Sequence, residues 1–140
     1  MKLLAQELRI GNYVNCPNKN IPWFCITEFE YLNAYDCKVG MQFIPKTHPY
    51  TWLLKDLSPI PLTNEWYLRL GFENDQINGW KINITKNAIN PRFIFIDSED
   101  RLNVVDSDGY GIVIAYHVKY VHRLQNLYYT LTEEELIRKE

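Results

Sequence analysis

The chain has 140 residues, the size of one ordinary domain, and 46% of them are hydrophobic. That is enough to bury roughly two-thirds of the unfolded surface without disulfide or metal staples. Fifteen Lys plus Arg against seventeen Asp plus Glu give a net charge of −2, so no global field gathers a polyanion or a membrane surface.

Residues 1–9 alternate charged and apolar positions and lack the apolar core of a signal peptide. No apolar run approaches the roughly 18 residues of a membrane span. Three cysteines, Cys16, Cys25 and Cys37, form no C-x-x-C pair and no even-numbered framework. They fit a reducing compartment better than a disulfide scaffold or a zinc knuckle. These features predict a soluble protein of the cytoplasm with no membrane partner and no cofactor.

Residues 8–14 read as an extended segment with a Gly11, Asn12 turn inside it, and the Pro- and Asn-rich stretch 17–22 reads as a loop. Residues 23–35 carry Glu28 and Glu30 alternating with Phe29 and Tyr31, the period of a strand with one wet face. Two further strands are expected at 37–44 and 50–57. Ten Tyr, six Phe and four Trp favour sheet throughout, because aromatic side chains suit a pleated, half-buried surface. The first 58 residues therefore predict a small antiparallel β-module, either an SH3-like barrel or a curled sheet.

Pro59 and Pro61 make a stiff connector. Thr63 then stands where an N-cap belongs, Glu65 favours the positive end of a helix dipole, and Gly71 with Phe72 has the order of a C-terminal cap. This predicts a two-turn helix at 64–70. A β-meander follows, with strands expected at 79–85, 92–96, 102–105 and 110–116 and turn chemistry at 98–101 and 106–109. At 100° per residue Tyr120, Val121, Leu124, Leu127, Tyr128 and Leu131 fall within about 120° of arc, which predicts an amphipathic helix packing on the sheet. Thr132 and Glu135 have capping-box spacing and predict a short second helix to the end. The fold class expected is α+β, with residues 1–58 as a β-rich module and 59–140 as a helix, meander and helix part, packed as one compact unit.

A spaced series of residues resembles a known family. It comprises Leu8, Arg9, Ile10, Gly11 and Asn12; Pro59, Ile60, Pro61, Leu62 and Thr63 with Trp66; and Leu70, Gly71 and Phe72. It ends with Tyr120, Val121, His122, Leu124, Gln125, Asn126, Leu127, Tyr128, Leu131 and Thr132. The series is similar to small phage and prophage proteins of Bacteroides-type bacteria, a family without an assigned activity. Arg123 stands where that pattern has Gln, and Glu133 where it has Gly. The resemblance implies a phage origin and action inside a bacterial host, and supplies no catalytic residue.

Chemistry-bearing residues are few. The acidic turn at Asp106, Ser107, Asp108 and Gly109 lacks the bidentate Glu of a calcium loop, since position 12 is His117. His117 and His122 are five apart rather than four, so they do not make a helical zinc pair, and His48 has no partner at such spacing. Asp36, Cys37 and Lys38 behind Glu28 and Glu30 have the form of a nuclease triplet, at a frequency that chance explains. Gly109, Tyr110 and Gly111 are a fragment of a dinucleotide loop without its third Gly.

The candidate interaction surface is a stripe on the C-terminal helix: His122, Gln125, Asn126 and Tyr129 at i, i+3, i+4 and i+7. A merely solvated face would carry Lys and Glu. An uncharged polar stripe with an aromatic either hydrogen-bonds to its own chain or meets a partner, since such groups suit interface cores. The function expected is a non-enzymatic accessory protein that binds a host or phage protein in the host cytoplasm, with a homodimer as one form. The alternatives are a nucleic-acid-binding module with Trp23, Phe24 and Trp52 as stacking platforms, and a virion component.

Overall fold

The computed structural model describes residues 7–16, 21–31, 37–42, 50–53, 56–75, 79–85 and 90–139. Within 21–31, 37–42 and 50–53 it describes the backbone, with side chains at 23, 25 and 26. The turns expected around 33–36 and 45–49, with Asp36 and His48, lie outside the described residues, as do the side chains of Phe24, Cys37, Lys38 and Trp52.

The fold is α+β, and its contacts form two compact units that are not the two parts expected from sequence. One unit is Met1–Pro61 with Tyr120–Glu135; the other is Leu62–Lys119 with Leu136–Glu140. The C-terminal helix thus belongs with the N-terminal β-module and not with the meander that precedes it.

In the first unit, β1 (Tyr13–Cys16), β2 (Ile21–Tyr31), β3 (Cys37–Gln42) and β4 (Tyr50–Leu53) form a four-stranded antiparallel sheet in chain order. β2 begins at Ile21, inside the stretch expected to be loop. The chain then returns to the open side of β1, where Asn15 and Ser58 exchange backbone hydrogen bonds of 3.1 and 2.9 Å. Among the described residues, closure toward a barrel is one residue pair rather than a strand. The C-terminal helix is α2 (Val121–Thr132), and it packs on β1. Its N-terminus is tied by the Val121 N–H, which donates to the Ile60 carbonyl at 2.9 Å. Val121, Leu124 and Tyr128 are buried, as the 3.6-residue period predicts.

No second helix follows. Thr132 is the last residue of α2, and its hydroxyl accepts from the Glu134 N–H in a local turn instead of capping a new helix. Glu133 has φ 61°, and its N–H donates back to Tyr129, which ends α2 with a left-handed residue. A left-handed terminus points the chain away from the helix axis, so the capping-box spacing at 132–135 finds no helix to cap.

The second unit opens with α1 (Asn64–Arg69), whose boundaries match the sequence signals within one residue. The Thr63 hydroxyl accepts from the Trp66 N–H at 3.3 Å. At the other end the Gly71 N–H donates to Leu68 and the Phe72 N–H to Tyr67, the paired bonds of a Schellman cap. The Tyr67 and Phe72 rings meet edge-on at 5.6 Å, supplying the hydrophobic contact such caps carry. A five-stranded antiparallel sheet follows in chain order: β5 (Glu73–Asp75), β6 (Gly79–Asn83), β7 (Phe93–Asp97), β8 (Leu102–Val105) and β9 (Gly111–Ala115). Register sets Trp80 beside Ile96 and Ile96 beside Leu102, and all three are buried. Tyr67 stacks on Trp80 with ring centres 5.0 Å apart, joining helix to sheet. Each such aliphatic side chain contributes roughly 1.5–3 kcal/mol on full burial. Gly79 is fixed by close approach: a Cβ there would lie 1.9 Å from the Ile96 carbonyl oxygen.

Candidate functional site

The stripe expected on the last helix is where the first unit is held together. The Gln125 side chain is fully buried. Its carbonyl oxygen accepts from the Tyr13 N–H at 2.9 Å, and its amide nitrogen donates to the Gly11 carbonyl at 3.0 Å. The amide thus serves the backbone of 11–13 as a neighbouring strand would. Asn126 adds a second set: its oxygen accepts from Asn12 at 2.8 Å and from the Arg9 guanidinium at 3.0 Å, while its nitrogen donates to the Glu7 carbonyl at 2.8 Å. Arg9 also pairs with Glu135 and lies over the Tyr129 ring, 4.1 Å from its centre. Of the two readings of the stripe His122, Gln125, Asn126 and Tyr129, the hydrogen bonds of Gln125 and Asn126 are those of the own-chain reading. Gln125 and His122 are buried, Asn126 is half-buried, and Tyr129 alone is exposed.

His122 is 3% exposed, and its Nδ1 has no hydrogen-bond partner among the described residues. Burial pushes its pKa down, Glu7 opposes that shift, and Arg123 adds to it. The ring stacks beside Tyr120 at 6.1 Å. A cleft of about 190 Å³ lies next to it, lined by residues that include Glu7, Arg123 and Thr130. That is below the roughly 300 Å³ at which small-molecule pockets begin.

The other residues singled out from sequence sit in structural roles. The Asp106 carboxylate accepts from the Asp108 and Tyr110 N–H groups, each at 3.0 Å, and holds its own turn. Asp97 does the same for the preceding turn. Burial pushes its carboxyl up, but hydrogen bonds from the Arg101 backbone, Asn103, the Glu99 backbone and the Arg101 guanidinium outweigh that and hold it below the usual range. His117 lies before α2 with φ 56°. Among the described residues no group of three or more His, Cys, Asp or Glu is placed to hold a metal. Trp23 packs edge-on against Tyr13 at 5.6 Å. Burial pushes the Cys25 thiol up, away from thiolate chemistry. No described helix is long and apolar enough to cross a membrane.

The strand expected at 110–116 is present as β9, and what sequence reasoning missed is its exposure. β9 is an edge strand of the five-stranded sheet, and every residue from Gly111 to Ile114 is exposed. Tyr110 is 78% exposed, Ile112 66%, Ile114 43% and Tyr116 59%. Register explains how an apolar strand comes to be bare. Ile82, Ile94, Val104 and Ile112 stand in one cross-strand row. Ile94 is fully buried, Val104 half-buried and Ile112 largely open, so the apolar row runs off the end of the core. The opposite edge is built differently: β5 is three polar residues, Glu73, Asn74 and Asp75, too short and too charged to recruit a strand. Tyr110, Ile112, Val113, Ile114 and Tyr116 together expose roughly 500–600 Å², at the top of the range for the largest apolar patch on a monomer. The signal was present in the sequence. A run of Gly, Ile, Val, Ile, Ala and Tyr without a polar alternate suits a strand covered on both faces, yet here it is the edge strand, and no described strand pairs with its outer side.

Compared with family models, curated proteins and solved structures, the chain finds no match.

Proposed function

We propose that the chain is a non-enzymatic interaction protein that binds other protein chains by strand addition at β9. The resemblance of its spaced motifs to phage proteins supports an origin in a phage and action inside a bacterial host cell. One observation carries the binding role: an uncharged, apolar edge strand left open, in a sheet whose other edge is blunted. Exposed strand edges present unpaired N–H and C=O groups, and soluble proteins ordinarily protect them with charge, proline or cover. An added strand gains main-chain hydrogen bonds, while side chains on alternate positions give selectivity.

The test is affinity capture from nuclease-treated host lysate with wild type, Ile112→Lys/Ile114→Lys and Tyr129→Ala in parallel. The proposal expects proteins bound by wild type and Tyr129→Ala and lost from the β9 variant. Equal capture by all three, or capture that nuclease abolishes, contradicts it.

A further inference from the structure

If binding proceeds through β9, as proposed above, the strand itself favours one partner. The turn before β9 is closed by the Asp106 N–H donating to the Tyr110 carbonyl. Backbone bonds alternate along an antiparallel ladder. Ile112 is therefore bonded to Val104 across the register, and the N–H and C=O groups of Gly111 and Val113 point to the open side. Two copies of this edge fit antiparallel with Val113 opposite itself, where the outward N–H and C=O of one Val113 meet those of the other; the register shifts at Ile114, between the Asn103–Val113 and Leu102–Ala115 pairs, and the regular ladder ends there. Ile112 falls opposite Ile114 of the partner subunit, and the exposed segment from Tyr110 to Tyr116 covers itself.

Charge agrees with this placement. The turn leading into β9 carries Asp106 and Asp108, and the segment leaving it carries Lys119, all exposed. Antiparallel pairing sets the acidic end of one copy at the basic end of the other, twice per pair. Parallel pairing would set acid beside acid. Two facing patches hold about 1,000–1,200 Å² in all, and edge-on pairing covers part of that, so the area suits a weak association.

We infer that the chain forms a two-fold symmetric dimer in which β9 pairs antiparallel with β9 of a second copy about Val113. The two five-stranded sheets become one ten-stranded sheet, and the only unprotected strand edge of the second unit's described sheet is closed. Isologous contact of this kind ends at two copies.

Sedimentation velocity on the full chain, from about 1 to about 200 µM, reads the association directly. The weight-average mass should climb from 16.7 kDa toward twice that value. Ile112→Lys/Ile114→Lys should stay monomeric with an unchanged circular dichroism spectrum, which separates lost pairing from lost folding. Asp108→Lys and Lys119→Glu should each weaken self-association about tenfold, and an equimolar mixture of the two should restore it, a result that only antiparallel pairing of copies gives. A wild type that remains monomeric throughout overturns the dimer, as does a β9 variant that associates like wild type or a mixture no better than its components. If the wild type is monomeric while the β9 variant still loses the proteins captured from lysate, the second-copy inference fails and strand addition to another protein stands. If both results are negative, both proposals fall.

Discussion

α2 and β9 invert the usual placement of side chains. α2 buries Gln125 and His122, both polar, and β9 exposes Ile112 and Ile114, both aliphatic. Each inversion has its own cause. Gln125 is buried because the backbone at 11–13 offers a donor and an acceptor at the spacing of one carboxamide, so desolvation is compensated on both sides. Ile112 and Ile114 are exposed because they occupy the last strand of a sheet whose apolar row has run past its core. Polarity alone therefore places neither: the neutral stripe allowed both an own-chain and a partner reading, and the aliphatic strand lies bare at an edge.

The sharpest way to break this comparison is to make each region more conventional. Gln125→Leu puts an apolar residue into a buried site, yet it removes the hydrogen bonds that the side chain makes with the Tyr13 N–H and the Gly11 C=O. Each lost bond costs about 1–3 kcal/mol, so the variant should lose about 3 kcal/mol in urea denaturation. A loss under about 1 kcal/mol would show that the amide is not a structural tie.

His122 gives the next largest effect. Its folded pKa is lowered by burial, so the unfolded chain binds the proton more readily than the folded one. The sign follows: stability is complete above the unfolded pKa of about 6.5 and is lost as pH falls toward the lower folded value. Within that window His122 contributes a slope of up to about 1.4 kcal/mol per pH unit. Denaturation midpoints measured from pH 7 to pH 5 should fall more steeply for wild type than for His122→Leu. Equal slopes would mean that the imidazole titrates no differently in the two states.

Glu133 sits at φ 61°, a conformation that favours glycine. Glu133→Gly should raise stability by about 1 kcal/mol, with the thermal midpoint as readout. The smallest effect belongs to β9. Ile112→Lys/Ile114→Lys should change the stability of the dilute monomer by no more than about 0.5 kcal/mol, since surface substitutions away from packed groups rarely do more. A large loss would mean that these side chains are packed after all.

How far the sequence carried depended on the range of the interaction. α1 was legible because Thr63, Gly71 and Phe72 act within a few residues of the helix they bound. The strands at 79–83, 93–97 and 102–105 were legible from alternation and turn chemistry. β5 was not, because Glu73, Asn74 and Asp75 carry no strand propensity and pair only through β6. The period of α2 was legible, but its partner was not: Gln125 bonds to residues 112 and 114 positions away. The end of α2 was misread for the opposite reason. Local capping-box spacing at 132–135 is outweighed by the left-handed turn at Glu133, which redirects the chain.

The central claim, that β9 is an open edge in the monomer and a paired one on association, meets its most direct test in amide hydrogen exchange followed residue by residue. The Gly111 and Val113 amides should exchange within seconds in dilute protein and become protected at concentrations that drive association, while Ile112, bonded to Val104, stays protected throughout. Protection of Gly111 and Val113 at every concentration, or at none, would contradict it.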